Sequence, residues 1–180
     1  MKNIHLLFLL ISFLGFSQSK YLTKSGVLNF EASVEAFEEI KATNTNVTSI
    51  LNTENGQFAA LALVKGFRFK NALMEEHFNE SYAESDEYPK AIFKGKLADF
   101  SLENIQTTYI INGSLSFHGV TKTLENVSVK ITPSENSFIL TGSFEIAPND
   151  FDIEIPSIVS SKIAEIVTVV FDFELIKKSD

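Results

Sequence analysis

Cysteine and tryptophan are both absent from the 180 residues, and histidine occurs only 3 times. Without thiols there is no disulfide framework, iron–sulfur site or thiol nucleophile, so stability has to come from packing. Cations are scarce as well: 15 Lys and Arg stand against 23 Asp and Glu, for a formal charge of −8. They are scattered, which leaves no basic footprint for a phosphate backbone and argues against nucleic acid as a partner. Apolar bulk is plentiful. Hydrophobic residues make up 44% of the chain, and Phe occurs 17 times against 4 Tyr. Aromatic area without a polar handle fills cores or lines greasy cavities, and this length and composition suit one globular domain.

Residues 1–19, MKNIHLLFLLISFLGFSQS, begin with the charged Lys2. They continue through an apolar run, Ile4 to Phe16, broken only by His5, Ser12 and Gly15. The run is too short for a spanning helix, which needs ~20 apolar residues, and it ends in small and polar residues. It reads as a secretory signal peptide, with small-x-small spacing that permits cleavage after Ser17 or after Ser19. Residues 20–180 are then expected to be a periplasmic or secreted domain without an integral membrane span. Loss of the single positive charge of Lys2 takes the formal charge from −8 to −9.

Period-two alternation dominates the second half of the chain. Val127, Val129 and Ile131 share one face of Asn126 to Ile131, and Phe138, Leu140, Phe144 and Ile146 share one face of Phe138 to Ile146. Ile111, Leu115 and Phe117 do the same in Tyr109 to Phe117. Val167, Val169, Phe171, Phe173 and Leu175 alternate along a long closing segment. Such alternation marks strands with one buried face. Gly113 and Gly142 at matched central positions suggest a coiled, curved sheet. Val27 to Ser33, Glu39 to Asn46, Phe58 to Val64 and Ala91 to Ala98 also read as strands, which brings the number to about eight. Asn55-Gly56 and the Pro133–Asn136 stretch suit hairpin turns. The expected fold is all-β, an eight-stranded antiparallel barrel whose interior is wide enough for one small ligand.

One stretch departs from alternation. In LMEEHFNESYAESDEYPKAIFKG, residues 73–95, the side chains Leu73, Met74, His77 and Phe78 recur at helical spacing behind Asn71, a suitable N-cap. A short helix at the barrel mouth follows, serving as a lid or merely as a crossover connection.

The stretch just quoted resembles the YceI-like family, as do NGSLSFHGVTKTL (residues 112–124) and GSFEIAPNDFDIEIP (residues 142–156), which follow in the same order and spacing. Members of that family are extracytoplasmic lipid-binding proteins with a lipocalin-like barrel. The resemblance extends from about Lys20 to Ile176, resting mainly on strand pattern in its first third. Ala83 stands where many members carry a larger Met, and some members have a Trp near the mature start that is missing here. The resemblance implies an elongated lumen for a long-chain amphiphile: a polyprenyl chain, an isoprenoid quinone or a fatty-acid derivative. Each buried methylene of such a tail contributes ~0.8 kcal/mol, so a phenyl-lined tunnel can hold it without directed polar contacts. The candidate lumen residues are Phe93, Leu97, Ile111, Leu115, Phe117, Val127, Val129, Phe138, Leu140, Phe144, Val169, Phe171 and Phe173. Leu73, Met74, His77 and Phe78 are the candidate mouth or lid.

Chemistry has little to build on. His77 and His118 are the only histidines after the signal segment and lack metal-ligand spacing, so neither is assigned to a metal. Ser116, His118 and Asp172 make an imaginable triad, but no nucleophile elbow accompanies them. The acids Glu75, Glu76, Glu80, Glu84, Asp86 and Glu87 lack the spacing of a calcium loop. The expectation is a lipid carrier or scavenger with no cofactor and no catalysis. A packed interaction barrel or a lipid-modifying enzyme would be the alternative, and a homodimer is left open.

Overall fold

The computed structural model describes residues 20–178, and the expected signal segment lies outside them. Nine strands occur among the described residues: β1 (Lys20–Glu31), β2 (Lys41–Asn52), β3 (Gln57–Leu63), β4 (Arg68–Phe69), β5 (Lys90–Leu97), β6 (Thr108–Phe117), β7 (Val120–Pro133), β8 (Ser137–Ile146) and β9 (Val167–Lys177). One short helix, α1 (Ala72–His77), runs directly into a π-helical turn, Phe78–Tyr82. None of the helices described is long and apolar enough to cross a membrane.

The eight long strands form one antiparallel sheet in which each pairs with its neighbours in sequence, and β1 pairs with both β9 and β2. The sheet therefore closes into an up-and-down barrel with no long free edge. The two-residue β4 adds to β2 alone, through Ala42 and Thr43. Inward residues meet across strands: Phe144 opposite Val169, Gly142 opposite Phe171, Leu140 opposite Phe173 and Phe138 opposite Leu175. This shared inward face is the physical content of the alternation in β8 and β9.

Two strands depart from the sequence expectation at their ends. β1 begins at Lys20 rather than Val27, and β2 runs from Lys41 to Asn52 rather than from Glu39 to Asn46. Register shifts in their pairing, between Thr23 and Gly26 and again between Gly26 and Leu28, slip the inward phase. A bulge of this kind hides a long strand from a strict period-two reading. β2 also turns polar residues inward. Asn44 is buried, donating to Leu63 O at 3.0 Å and accepting from Asn46 N at 2.9 Å. Ser49 is fully buried, and its Oγ has no partner among the described residues.

The two ends of the barrel differ. At one, Leu51, Leu97, Ile131, Leu140 and Leu175 are all 1% exposed or less, and Phe100 and Ile105 pack over the same core from the connection that follows β5. Burying each such side chain contributes ~1.5–3 kcal/mol, so this end is a solid floor. The other end carries the long connections, residues 32–40, 64–89 and 147–166.

Candidate functional site

Above the floor the barrel is hollow. An inner chamber of about 70 Å³ is walled by carbon, and an outer chamber of about 460 Å³ leads from it to the end with the long connections. The outer volume is that of a small-molecule site, ~300–1,000 Å³.

Ten of the thirteen candidate lumen residues line the inner chamber: Phe93, Leu97, Ile111, Leu115, Val127, Val129, Leu140, Phe144, Phe171 and Phe173. Phe117 and Val169 line the outer one, which Leu115 and Phe144 also reach. Phe138 is a correction: it lines neither chamber. It lies on β8 at the floor, buried, with its ring centroid 4.5 Å from that of Tyr21.

Phe rings leave the inner chamber open because glycines receive them. A Cβ at Gly142 would lie 2.5 Å from Phe171 Cζ, one at Gly26 2.5 Å from Phe173 Cδ1, and one at Gly113 2.6 Å from Phe93 Cζ. Each ring occupies the space of a missing side chain on the wall. The opposite wall is shallow because β3 and β5 present Ala60, Ala62 and Ala91.

The mouth is built by the segment between β3 and β5, which is both connector and wall. Asn71 caps α1 by accepting from Leu73 N at 2.9 Å. Glu75 folds back to accept from Phe69 N at 3.1 Å and from Arg68 at 3.1 Å. Phe30, Phe67, Phe69 and Phe78 form a four-ring cluster with centroid separations of 5.2–5.9 Å that pins the helix to the barrel. Met74, His77 and Phe78 line the outer chamber, whereas Leu73 does not. Leu73 is 56% exposed and points away, which corrects its assignment to the mouth: the inward face follows i, i+3, i+4 from Met74.

Polar side chains occur only at the outer chamber, where Glu38, His77, Tyr82 and Lys162 contribute to the wall. Asn71 donates to Glu38 at 3.2 Å. Nearby, Lys41 bridges Glu39 at 2.5 Å and Glu31 at 3.3 Å. Its hydrogen bond to Glu39 holds that carboxyl below the usual range, and the two carboxylates hold the Lys41 ammonium above its own. These exposed pairs contribute little to stability.

His118 lies outside both chambers. With Gly119 it forms the two-residue turn between β6 and β7, both at positive φ, 48° and 74°. Its Nδ1 is 2.8 Å from Phe151 O and its Nε2 is 2.9 Å from Glu84 Oε2, while Tyr88 packs on the ring at 4.5 Å. The hydrogen bond that the Tyr88 phenol donates to the Glu87 carboxylate raises the phenol above its usual range. Ser116 Oγ is engaged instead with Thr121 Oγ1 at 2.7 Å, so no Ser–His contact exists. Of the acids on this segment, Glu75 serves Arg68, Asp86 pairs with Lys65 at 2.6 Å and Glu84 faces His118. They diverge rather than converge.

Several wall residues went unseen in the sequence. Phe58, Ala60 and Ala62 on β3 follow period two and were findable by extending the inward phase, with Ala counted as a wall residue. Phe67, Phe69, Phe151 and Ile153 lie in or beside irregular connections, where no periodicity points to them.

The model of the YceI-like domain matches residues 17–175. A polyisoprenoid-binding domain from Saccharophagus degradans, implicated in plant cell wall breakdown, superposes with a TM-score of 0.75 at 14% identity, covering 88% of this chain and 98% of that one. BcnA of Burkholderia cenocepacia gives 0.70 at 15% identity, covering 84% and 96%. The YceI protein of Campylobacter jejuni gives 0.61 at 12%, covering 80% and 88%. No curated protein matches the chain. At such identities the solved structures speak for the fold, and the domain model, spanning all but the last residues of the barrel, speaks for descent: the chain belongs to the YceI-like family.

Proposed function

We propose that the protein binds a long-chain amphiphile, an isoprenoid or fatty-acid derivative, tail-first in its lumen. It carries or stores that lipid outside the cytoplasm without altering it covalently. The observation that carries this reading is the gradient along the cavity: a blind, carbon-lined inner chamber, and polar side chains only where the outer chamber meets solvent. A tail gains ~0.8 kcal/mol per buried methylene on the way in, while a head group left at the mouth keeps its hydration. Two further supports are the polyisoprenoid-binding domain among the similar structures and the signal-like composition of residues 1–19. A carrier role without chemistry draws support from His118, whose ring nitrogens are both committed to Phe151 and Glu84.

Native mass spectrometry and lipid extraction of the protein purified from its own host test this directly. The parent should carry an apolar adduct and begin between residues 17 and 21. Phe144→Asp, which places an unpaired charge inside the lumen at a cost of several kcal/mol, should lose the lipid. Folded Phe144→Asp that retains lipid as well as the parent, or a parent that never carries or accepts one, would overturn the proposal.

A further inference from the structure

The two chambers share four wall residues: Leu28 on β1, Ala91 on β5, Leu115 on β6 and Phe144 on β8. These four form a collar between an outer space of about 460 Å³ and an inner one of about 70 Å³. Phe144 is its largest member and belongs partly to both apolar clusters of the interior. Immediately inward on β8 stands Gly142, and the Phe171 ring already fills the space that glycine leaves, so the wall just past the collar has no slack. No polar side chain lines the inner chamber.

We propose that this collar measures tail length. The inference rests on the tail-first reading above and adds the specificity determinant. With polar groups confined to the mouth, only hydrocarbon reaches the collar, so it discriminates on the number of carbons and not on head-group chemistry. Methylenes entering the outer chamber each raise affinity. Carbons beyond the collar gain only by displacing Phe144, so affinity levels off once the tail fills the outer chamber. Ala91 and Phe144 set that point in opposite directions: a larger side chain at 91, which also lines the outer chamber, takes up outer volume, and a smaller one at 144 joins the chambers.

The test is competition binding of saturated fatty acids of about ten to about twenty carbons to delipidated protein, in which each accommodated methylene should tighten binding about fourfold. The parent should reach a plateau within the series. Ala91→Leu should move the plateau to shorter chains and Phe144→Ala should move it to longer ones; if one variant does not fold, the shift in the other decides. A plateau at the parental length in every folded variant, or a parent whose affinity rises unbroken through the series, overturns the collar while leaving the lumen reading intact. A parent that binds no fatty acid or other lipid at any length overturns the lumen reading itself.

Discussion

At Gly142, an added Cβ would meet Phe171 Cζ at 2.5 Å and Ser128 O at 2.6 Å, one a ring and the other backbone. The backbone atom cannot move without opening the β7–β8 ladder, so the ring must go, and the only free volume lies in the inner chamber. Gly142→Ala is therefore expected to cost about 1–3 kcal/mol through overpacking. It should also turn Phe171 further into the inner chamber, beyond the collar, so lipid held in the outer chamber should stay within about tenfold of the parent's. Urea denaturation and lipid quantification on the same preparation check both effects, and a loss of lipid in the folded variant would show that the tail reaches past the collar. The same holds at Gly26 and Gly113, where Phe173 and Phe93 occupy the space a side chain would take.

Among the elements, the β6–β7 turn has the widest structural reach. Through His118 it holds the carbonyl of Phe151, in the 3-10 turn after β8, and the carboxylate of Glu84, at the end of the mouth segment. Both ring nitrogens face acceptors, and one of these, Glu84, is a carboxylate. A hydrogen bond to a charged group contributes about 1.5–3 kcal/mol, and His118→Ala should destabilise the barrel by that order. The imidazole lines neither chamber, so lipid retention should stay within about tenfold of the parent, a difference of ~1.4 kcal/mol. Thermal melts with lipid extraction in parallel separate the two effects; a loss of lipid with stability intact would give His118 a direct role in binding.

On the scale of the whole molecule, strand order and ligand are linked through stability. A meander that closes β1 onto β2 and β9 forms its walls from neighbours in sequence, but an empty apolar lumen forgoes contacts that a packed core would make. Occupancy should restore them. A ligand held at 100 times its Kd stabilises the folded state by ~2.7 kcal/mol, which for a domain of this size raises Tm by roughly 5–10 °C. Differential scanning calorimetry of delipidated and reloaded protein measures that shift. A reloaded Tm equal to the stripped one would mean that the lipid binds outside the lumen or not at all.

Strand character, the all-β class and most of the inner wall were legible in the sequence, because alternation in Tyr109–Phe117, Phe138–Ile146 and Val167–Leu175 is a local consequence of burying one face of a pleated strand. A short capped helix within residues 73–95 was legible for the same reason: a cap and an apolar stripe are local signals. The true start of β1 and the true end of β2 were hidden by bulges, which shift phase according to the partner strand rather than the strand's own residues. Phe138 looks like Phe144 in the sequence, and only the height of each on β8, floor against collar, separates a core residue from a lumen residue. Leu73 and Met74 likewise differ only in how α1 is rolled against Phe30, Phe67 and Phe69. Whether the phenylalanines of the described residues fill the barrel or line it was decided by tertiary structure alone. Hydrophobicity drives most rings inward, but the room each one finds there depends on which residue of the paired strand stands beside it.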